Sequence, residues 1–243
     1  MSRFYVPKNN IVKNIAKVDG NEAHHAMKVM RIRENDPVTI FDGSGCEYKG
    51  FVKNMGRASF IVEIAEKKIP TLEKFPQVTL IQAIPKKQKM STIIEKATEL
   101  GVYQVIPIIT ERVISKVEAS KRELKIKRWN KVALEASKQC GRADVPNITP
   151  ISEFYDVLAH IDDYDLAIMA CLNDRTKPLK NVLKNFLTGR IAVFIGPEGD
   201  FTRNEIRDAE DRNIKLVSLG RRVLKSDTAG LYLLSALHYE FGF

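Results

Sequence analysis

Beyond Pro76 the chain alternates short apolar runs with segments that carry hydrophobic residues at helical spacing, and this alternation restricts the fold more than any other feature. Residues 78–84, 102–109, 166–171, 191–195 and 215–219 read as strands. Residues 90–100 read as a helix with Ile93, Ile94, Ala97 and Leu100 on one face, ended by Gly101 as a C-terminal cap. A longer amphipathic helix over 125–139 turns Trp129, Val132, Ala133 and Ala136 inward. Strands alternating with helices predict an α/β fold, a mostly parallel, doubly wound sheet covered on both faces.

The first seventy or so residues follow a different period. Val38-Thr39-Ile40-Phe41 runs into Asp42-Gly43-Ser44-Gly45, and a second turn at Asn54-Met55-Gly56 leads into residues 58–64. Short β runs joined by glycine-containing turns indicate a small antiparallel sheet or barrel. Tyr48, Phe51 and Phe60 lie on these runs with apolar neighbours and are expected in its core. One helix interrupts it, with Asn21 as a candidate cap and Ala23, Ala26, Met27 and Met30 spaced by three and four. Residues 67–76, with two prolines and little periodicity, read as the linker between the two parts.

At 243 residues and 44% hydrophobic content the chain can bury a substantial core. Its apolar runs are too short to span a bilayer, and the N-terminus lacks the apolar stretch of a signal peptide. Cys46, Cys140 and Cys171 are widely spaced, without CxxC or a Cys/His cluster, and are expected to be inert buried thiols in a reducing compartment. The net charge is +9, but its location matters more than its size. Residues 85–145 hold 14 Lys/Arg against 7 Asp/Glu, whereas residues 146–243 hold 12 against 14. A basic surface beside a neutral-to-acidic pocket suits a protein that grips a polyanion. A solvated basic surface with no partner has the same composition.

In an open parallel sheet, ligands bind outside the carboxyl ends of the strands. Three such ends carry unusual turn residues: Cys171-Leu172-Asn173-Asp174, Ile195-Gly196-Pro197-Glu198-Gly199-Asp200, and the segment from Leu219 to Gly230. Together they can frame one pocket. Gly196 and Gly199 suggest backbone geometries closed to other residues, and Pro197 removes a donor. No phosphate-cradling motif is present, and Glu198 would repel a phosphate, so an uncharged or cationic ligand fits the turn better. A simple tight turn fits Gly-Pro-x-Gly equally well. Thr202 with Glu205 makes a T-x-x-E capping box, and Ser226 or Asp227 can cap the last helix. Lys28, Arg31 and Arg33 cluster at the end of the first helix, where they suit phosphate contacts or complement the helix dipole. His24, His25, His160 and His238 read as surface or packed histidines, and hydrolase motifs are absent from the sequence.

A larger pattern joins these pieces. It comprises Arg3-Phe4, His25 with Val29-Met30-Arg31, 41–48, 96–102, Glu135-Ala136 with Gln139 and Arg142, Pro146, 195–199, and Leu219-Gly220 through Thr228-Ala229. On these residues the chain resembles the bacterial 16S ribosomal RNA uridine-N3 methyltransferase family (RsmE-like) of the SPOUT superfamily. The resemblance implies a PUA-like β-barrel over 1–72, then a SPOUT-type α/β methyltransferase domain over 73–243 with a C-terminal trefoil knot. It also implies a cytoplasmic homodimer acting on 16S rRNA of the small subunit, with S-adenosyl-L-methionine as cofactor and no metal or membrane partner.

By the same resemblance Ala170, Leu172, Ile195, Gly196, Pro197, Glu198, Gly199, Leu219, Gly220, Val223 and Leu224 hold the cofactor. Arg3, Lys28, Arg31, Arg33 and Arg142 are the expected RNA contacts. Arg222 and Lys225 are expected to stabilise charge on the uracil oxygens as N3 loses its proton, with Glu198 or Asp227 orienting their neighbours. Four positions depart from the family: Asp200 replaces a usual Gly, Lys225 a common Arg, Asp227 a common Glu and Lys138 a usual Glu. A SPOUT enzyme with another target, such as a ribose 2′-hydroxyl, and a non-catalytic RNA-binding assembly factor are the two rival readings.

Overall fold

A computed structural model describes residues 2–69, 75–86, 89–114 and 118–242. The chain divides into two compact units, Met1–Glu73 with Ser137–Val145, and Lys74–Ala136 with Pro146–Phe243. Residues 70–74 of the expected linker lie outside the described residues.

The first unit contains strands β1 (Ser2–Tyr5), β2 (Ile11–Val12), β3 (Ile15–Val18), β4 (Pro37–Phe41), β5 (Glu47–Lys53) and β6 (Phe60–Lys68). They form one curled sheet in the order β1-β4-β5-β6-β3-β2. All pairings are antiparallel except β1 with β4, which is parallel. Burial along β5 alternates residue by residue, as a sheet with one wet face requires. Phe4, Val18, Ile40, Tyr48, Val52, Phe60 and Val62 fill the inner face. Phe51 falls on the outer phase of β5 and is 46% exposed, contrary to the expectation that it sits in the core. Gly50 is required where β5 slips register, because a Cβ there would lie 2.1 Å from the Glu63 carbonyl oxygen.

Helix α1 (Gly20–His24) runs into a π-helical turn over His25–Val29. Asp19, not Asn21, occupies its N-cap position, and His24 and His25 both face solvent. The nine residues Ser137–Val145 close on this unit: Gly45 N–H donates to the Ala143 carbonyl and Val145 N–H to the Gly43 carbonyl.

In the second unit the strands are β7 (Gln77–Ala83), β8 (Gln104–Ile109), β9 (Asn147–Ile148), β10 (Ser152–Glu153), β11 (Leu166–Ala170), β12 (Lys177–Pro178), β13 (Arg190–Ile195) and β14 (Lys215–Ser218). Every pairing among them is parallel, in the order β10-β8-β7-β13-β11-β14-β12 with β9 beside β8. The helices are α2 (Lys89–Glu99), α3 (Ala119–Cys140), α4 (Phe154–Leu158), α5 (Leu179–Leu183), α6 (Arg203–Asp211) and α7 (Ser226–Phe241).

Alternation along β7 assigns its residues to opposite layers. Ile81 and Ala83 join Phe154, Phe194, Phe201 and Ile206 in the core beneath α4 and α6. Leu80 and Gln82 face α7, whose Gly230 lets it lie close: a Cβ at 230 would stand 3.1 Å from Gln82 Oε1 and 3.6 Å from a Leu80 methyl. Leu233, Leu234 and Leu237 of α7 are fully buried, while Tyr232 and Tyr239 of the same helix are exposed.

Candidate functional site

The register of the parallel sheet determines where its loops emerge. Gln82 pairs with Ile195, Ile195 with Ala170, and Ala170 with Val217. Four strands therefore end level with one another, and their following loops open at one edge. The loops after β11, β13 and β14 line an open cleft of about 220 Å³.

The cleft lies at the strand ends, where an open parallel sheet holds its ligands. Ala170, Leu172, Ile195, Gly196, Pro197, Glu198, Leu219, Gly220, Val223 and Leu224 all line it, and so do Arg222 and Lys225. Gly199 does not; it lies in the wall of a neighbouring cleft. Cys171, Asp200, Ser226 and Ala229, which lie in the segments expected to frame the pocket, also line it, and Val217 and Ser218 line it from outside those segments. Cys171 and Val217 follow from the same strand-end rule, but nothing in the sequence distinguishes Ser226 from a helix cap. Burial, with Asp200 nearby, pushes the Cys171 thiol up to about 12, so it contributes a neutral wall.

The Gly-Pro-Glu-Gly turn is gripped from four directions. Ser226 Oγ donates to the Gly196 carbonyl at 2.6 Å and accepts from Gln82 Nε2 at 2.9 Å, a buried chain from β7 through α7 to the turn. Lys225 occupies the N-cap position of α7 without a side-chain cap, so neither Ser226 nor Asp227 caps that helix. The Glu198 carboxylate accepts from Lys86 N–H at 2.9 Å. Arg112 donates to the carbonyls of Gly199, at 2.7 Å, and Phe201, at 3.2 Å.

Asp200 supplies the fourth grip, and it corrects the role expected of the glycines. The left-handed residue of the turn is Asp200, with φ of 60°; neither Gly196 nor Gly199 has positive φ. Asp is among the few side chains that tolerate this region, where Gly is the usual solution. Its backbone N–H closes the turn onto the Pro197 carbonyl at 3.0 Å. Its carboxylate accepts from Phe201 N–H at 2.9 Å and from Leu172 N–H at 2.8 Å, tying the loop after β11 to the loop after β13. Gly196 is needed for space instead, since a Cβ there would press on the Phe201 ring at 3.2 Å.

The helix behind the turn starts where its sequence says. Thr202 and Glu205 form the reciprocal capping box, and the buried Glu205 carboxylate also accepts from Glu111 N–H at 3.0 Å. At the start of α7, Asp227 pairs with Lys89 at 2.9 Å, which holds its carboxyl below the usual range.

The residues expected to contact RNA divide into two groups. Lys28, Arg31 and Arg33 are exposed, and Arg31 has φ of 53°. Arg3 and Arg142 are largely enclosed and committed within the first unit. Arg3 pairs with Glu47, donates to the Arg142 carbonyl at 2.9 Å and stacks 4.7 Å above the Phe41 ring, while Arg142 bonds Asp144. They build the fold around the Asp42 turn, where Asp42 also accepts from Ser44 and Tyr48. Lys138, where the family usually has Glu, bonds Glu22 at 2.7 Å. Cys140 is exposed and Cys46 half-buried, so of the three thiols only Cys171 matches the buried expectation.

Comparison with known proteins covers both units. Residues 18–65 match the RNA methyltransferase PUA domain, and residues 73–238 match the RNA methyltransferase domain. The ribosomal RNA small subunit methyltransferase E of Bacillus subtilis is 28% identical over 92% of this chain and 89% of its own length. That of Mesomycoplasma hyopneumoniae is 28% identical over 97% of this chain and 98% of its own. Among solved structures, a Neisseria gonorrhoeae ribosomal RNA small subunit methyltransferase E bound to S-adenosyl methionine superposes with a TM-score of 0.86. It is 28% identical, over 99% of this chain and 98% of that one. A putative Legionella pneumophila methyltransferase in complex with its bound cofactor SAM gives 0.87 at 26% identity, over 98% and 97%. A parallel sheet whose level strand ends open into one cleft, and a match over most of the chain, lead to one conclusion: the chain belongs to the RNA methyltransferase family.

Proposed function

We propose that the protein transfers a methyl group from S-adenosylmethionine to N3 of a uridine in 16S rRNA of the small ribosomal subunit. The observation that carries this reading is the convergence of three loops, from β11, β13 and β14, on one cleft at level strand ends. The cleft suits an adenosine bearing a positively charged sulfur: backbone groups, apolar side chains and a neutral thiol make up much of its wall, and the carboxylates of Glu198 and Asp200 share its lining with the cationic Arg222 and Lys225. The full-length likeness to rRNA small subunit methyltransferases E supports the substrate.

The cofactor supplies an activated methyl donor, so the protein's task is to present the acceptor. Uracil N3 carries a proton that must leave before the nitrogen can accept a methyl group. Arg222 and Lys225, exposed in the loop that lines the cleft, stabilise negative charge on the uracil oxygens as that proton departs. Ala170, Leu172, Ile195–Glu198, Leu219, Gly220, Val223 and Leu224 hold the cofactor, while Gly199 acts from outside through its carbonyl bond to Arg112. Glu198 serves to fix the turn through Lys86 N–H. Most of the rate then comes from positioning the acceptor nitrogen.

We also propose a homodimer, supported by Tyr232 and Tyr239 exposed two turns apart on α7, and a knotted path for 73–243 as in the SPOUT superfamily. Among the described residues no helix is long and apolar enough to cross a membrane, and no group of three or more His, Cys, Asp or Glu is placed to hold a metal. A cytoplasmic site of action is part of the same proposal, and the likeness to rRNA methyltransferases supports it.

The test is primer extension across 16S rRNA from a strain lacking the gene. N3 methylation blocks pairing and stops reverse transcriptase, so one stop should disappear and return on complementation. An unchanged stop pattern refutes the proposal. Arg222→Ala and Lys225→Ala should each lower turnover with cofactor affinity intact; normal turnover in both removes their assigned role.

A further inference from the structure

Resting on the reading above, a second cleft beside the first bears on how the RNA strand is held. It measures about 760 Å³ and shares Leu172 and Asp200 with the cofactor cleft as a common wall. Arg112, Arg175, Arg203 and Arg207 line it, with Asn204 beside them. The overall charge of residues 146–243, 12 Lys/Arg against 14 Asp/Glu, hides this local concentration.

The geometry gives the cationic groups different tasks. Arg112 is turned toward the Gly199 and Phe201 carbonyls and Arg175 toward Glu210, at 2.6 Å, so these two are partly committed to the protein. Of the carboxylates, Asp200 is satisfied by two backbone N–H groups, and Asp174 is an exposed lining residue outnumbered by the four arginines. Arg203 and Arg207 are exposed, one helical turn apart on the first two turns of α6, with Arg207 3.6 Å from Asp208. Their guanidinium forks match phosphate oxygens in shape and charge, and the positive end of the α6 dipole adds to the attraction.

We propose that this second cleft binds backbone phosphate of the RNA strand next to the target nucleotide, with Arg203 and Arg207 as the principal contacts. A base turned into the first cleft leaves its ribose and flanking phosphates outside the pocket. The shared wall at Leu172, itself 65% exposed, leads from one cleft directly to the other. Phosphate contacts of this kind hold register without reading sequence, which leaves the choice of base to the first cleft.

The test compares wild type with the R203Q/R207Q double variant on unmodified 16S rRNA transcribed in vitro. A K180Q/K184Q variant, on or beside α5 and also exposed, controls for lost charge. The expected result is a KM for RNA raised about tenfold with kcat within about twofold. The slope of log binding constant against log salt should become shallower by about 1.4, at roughly 0.7 per single-strand phosphate contact. Calorimetric affinity for S-adenosylmethionine should stay at the wild-type value, and K180Q/K184Q should behave as wild type. Wild-type KM and salt slope in R203Q/R207Q, or an equal loss in the control, overturns the inference. If the wild type binds RNA but methylates none, the functional reading fails alone, and the salt slopes still decide this one. If the wild type binds no RNA, both fail.

Discussion

Ser226→Ala tests the buried chain that holds the Gly-Pro-Glu-Gly turn. The substitution removes two hydrogen bonds, the 2.6 Å donation to the Gly196 carbonyl and the 2.9 Å acceptance from Gln82 Nε2. Gln82 is fully buried and its Nε2 retains only the Ala83 carbonyl, so one of its N–H groups is left without a partner. At about 1 kcal/mol for each lost bond, with more for the stranded donor, the cost is roughly 2–3 kcal/mol. Gln82→Met should cost less, about 1–2 kcal/mol, because it preserves volume and also removes the buried Oε1 that has no partner among the described residues. The double variant should be milder than the two single effects combined by about 1 kcal/mol, since both singles break the same bond.

The chain's one tryptophan, Trp129, is buried in α3 within the second unit, and its fluorescence reports unfolding where the change is made. Ser226→Ala should lower Tm by roughly 5–10 °C, and cofactor affinity should fall with it as the Gly196 carbonyl is released. A Tm within about 1 °C of wild type, or strict additivity in the double variant, would refute the argument that these groups act as one chain.

Other consequences follow from the same geometry. Asp200→Gly keeps the left-handed backbone but loses both carboxylate bonds and should weaken cofactor binding several-fold by calorimetry. Asp200→Ala loses the bonds and adds about 1 kcal/mol of backbone strain, so it should be the less stable of the two. Asp227 has a folded pKa below its unfolded value near 3.9. Its stabilisation is therefore complete above that pH and is lost as pH falls below it through the folded pKa. Lys89→Gln should accordingly lower stability by a constant amount at neutral pH, with the gap to wild type closing below about pH 4 in urea titrations followed by Trp129. With a thiol-specific chromogenic reagent at pH 8, Cys140 should react first and Cys46 more slowly. Cys171, its thiol pushed up to about 12, should react only on unfolding. Thr202→Ala should cost about 1 kcal/mol by removing one half of the capping box.

Local rules carried the sequence reading far where they depend on near neighbours. The strand-to-helix alternation after Pro76, the glycine ending α2 and the Thr202–Glu205 box all appear in the structure with boundaries shifted by a few residues. α3 begins six residues earlier than its apolar face suggested, because its first turns are charged and carry little periodicity. Errors arose where one side chain had two plausible partners. Ser226 reads as a cap because caps are usually Ser, yet its hydroxyl is taken by Gln82 and Gly196, which are 144 and 30 positions away. Arg3 and Arg142, RNA contacts by the resemblance alone, each find an acidic partner within the first unit, a pairing that no local pattern announces.

By itself the sequence determined the two-part organisation, the parallel α/β character of the second part and the strand-end position of the site. These follow from periodicity and from turn residues whose backbone preferences are local. Tertiary structure decided which strand ends stand level, and therefore which loops share a cleft, because register between β7, β13, β11 and β14 is set by packing across the whole sheet. It also decided that Asp200, not a glycine, supplies the left-handed residue of the turn. That residue is held by the Leu172 and Phe201 amides, and the first of these lies 28 positions away in sequence and meets Asp200 only once the sheet has formed.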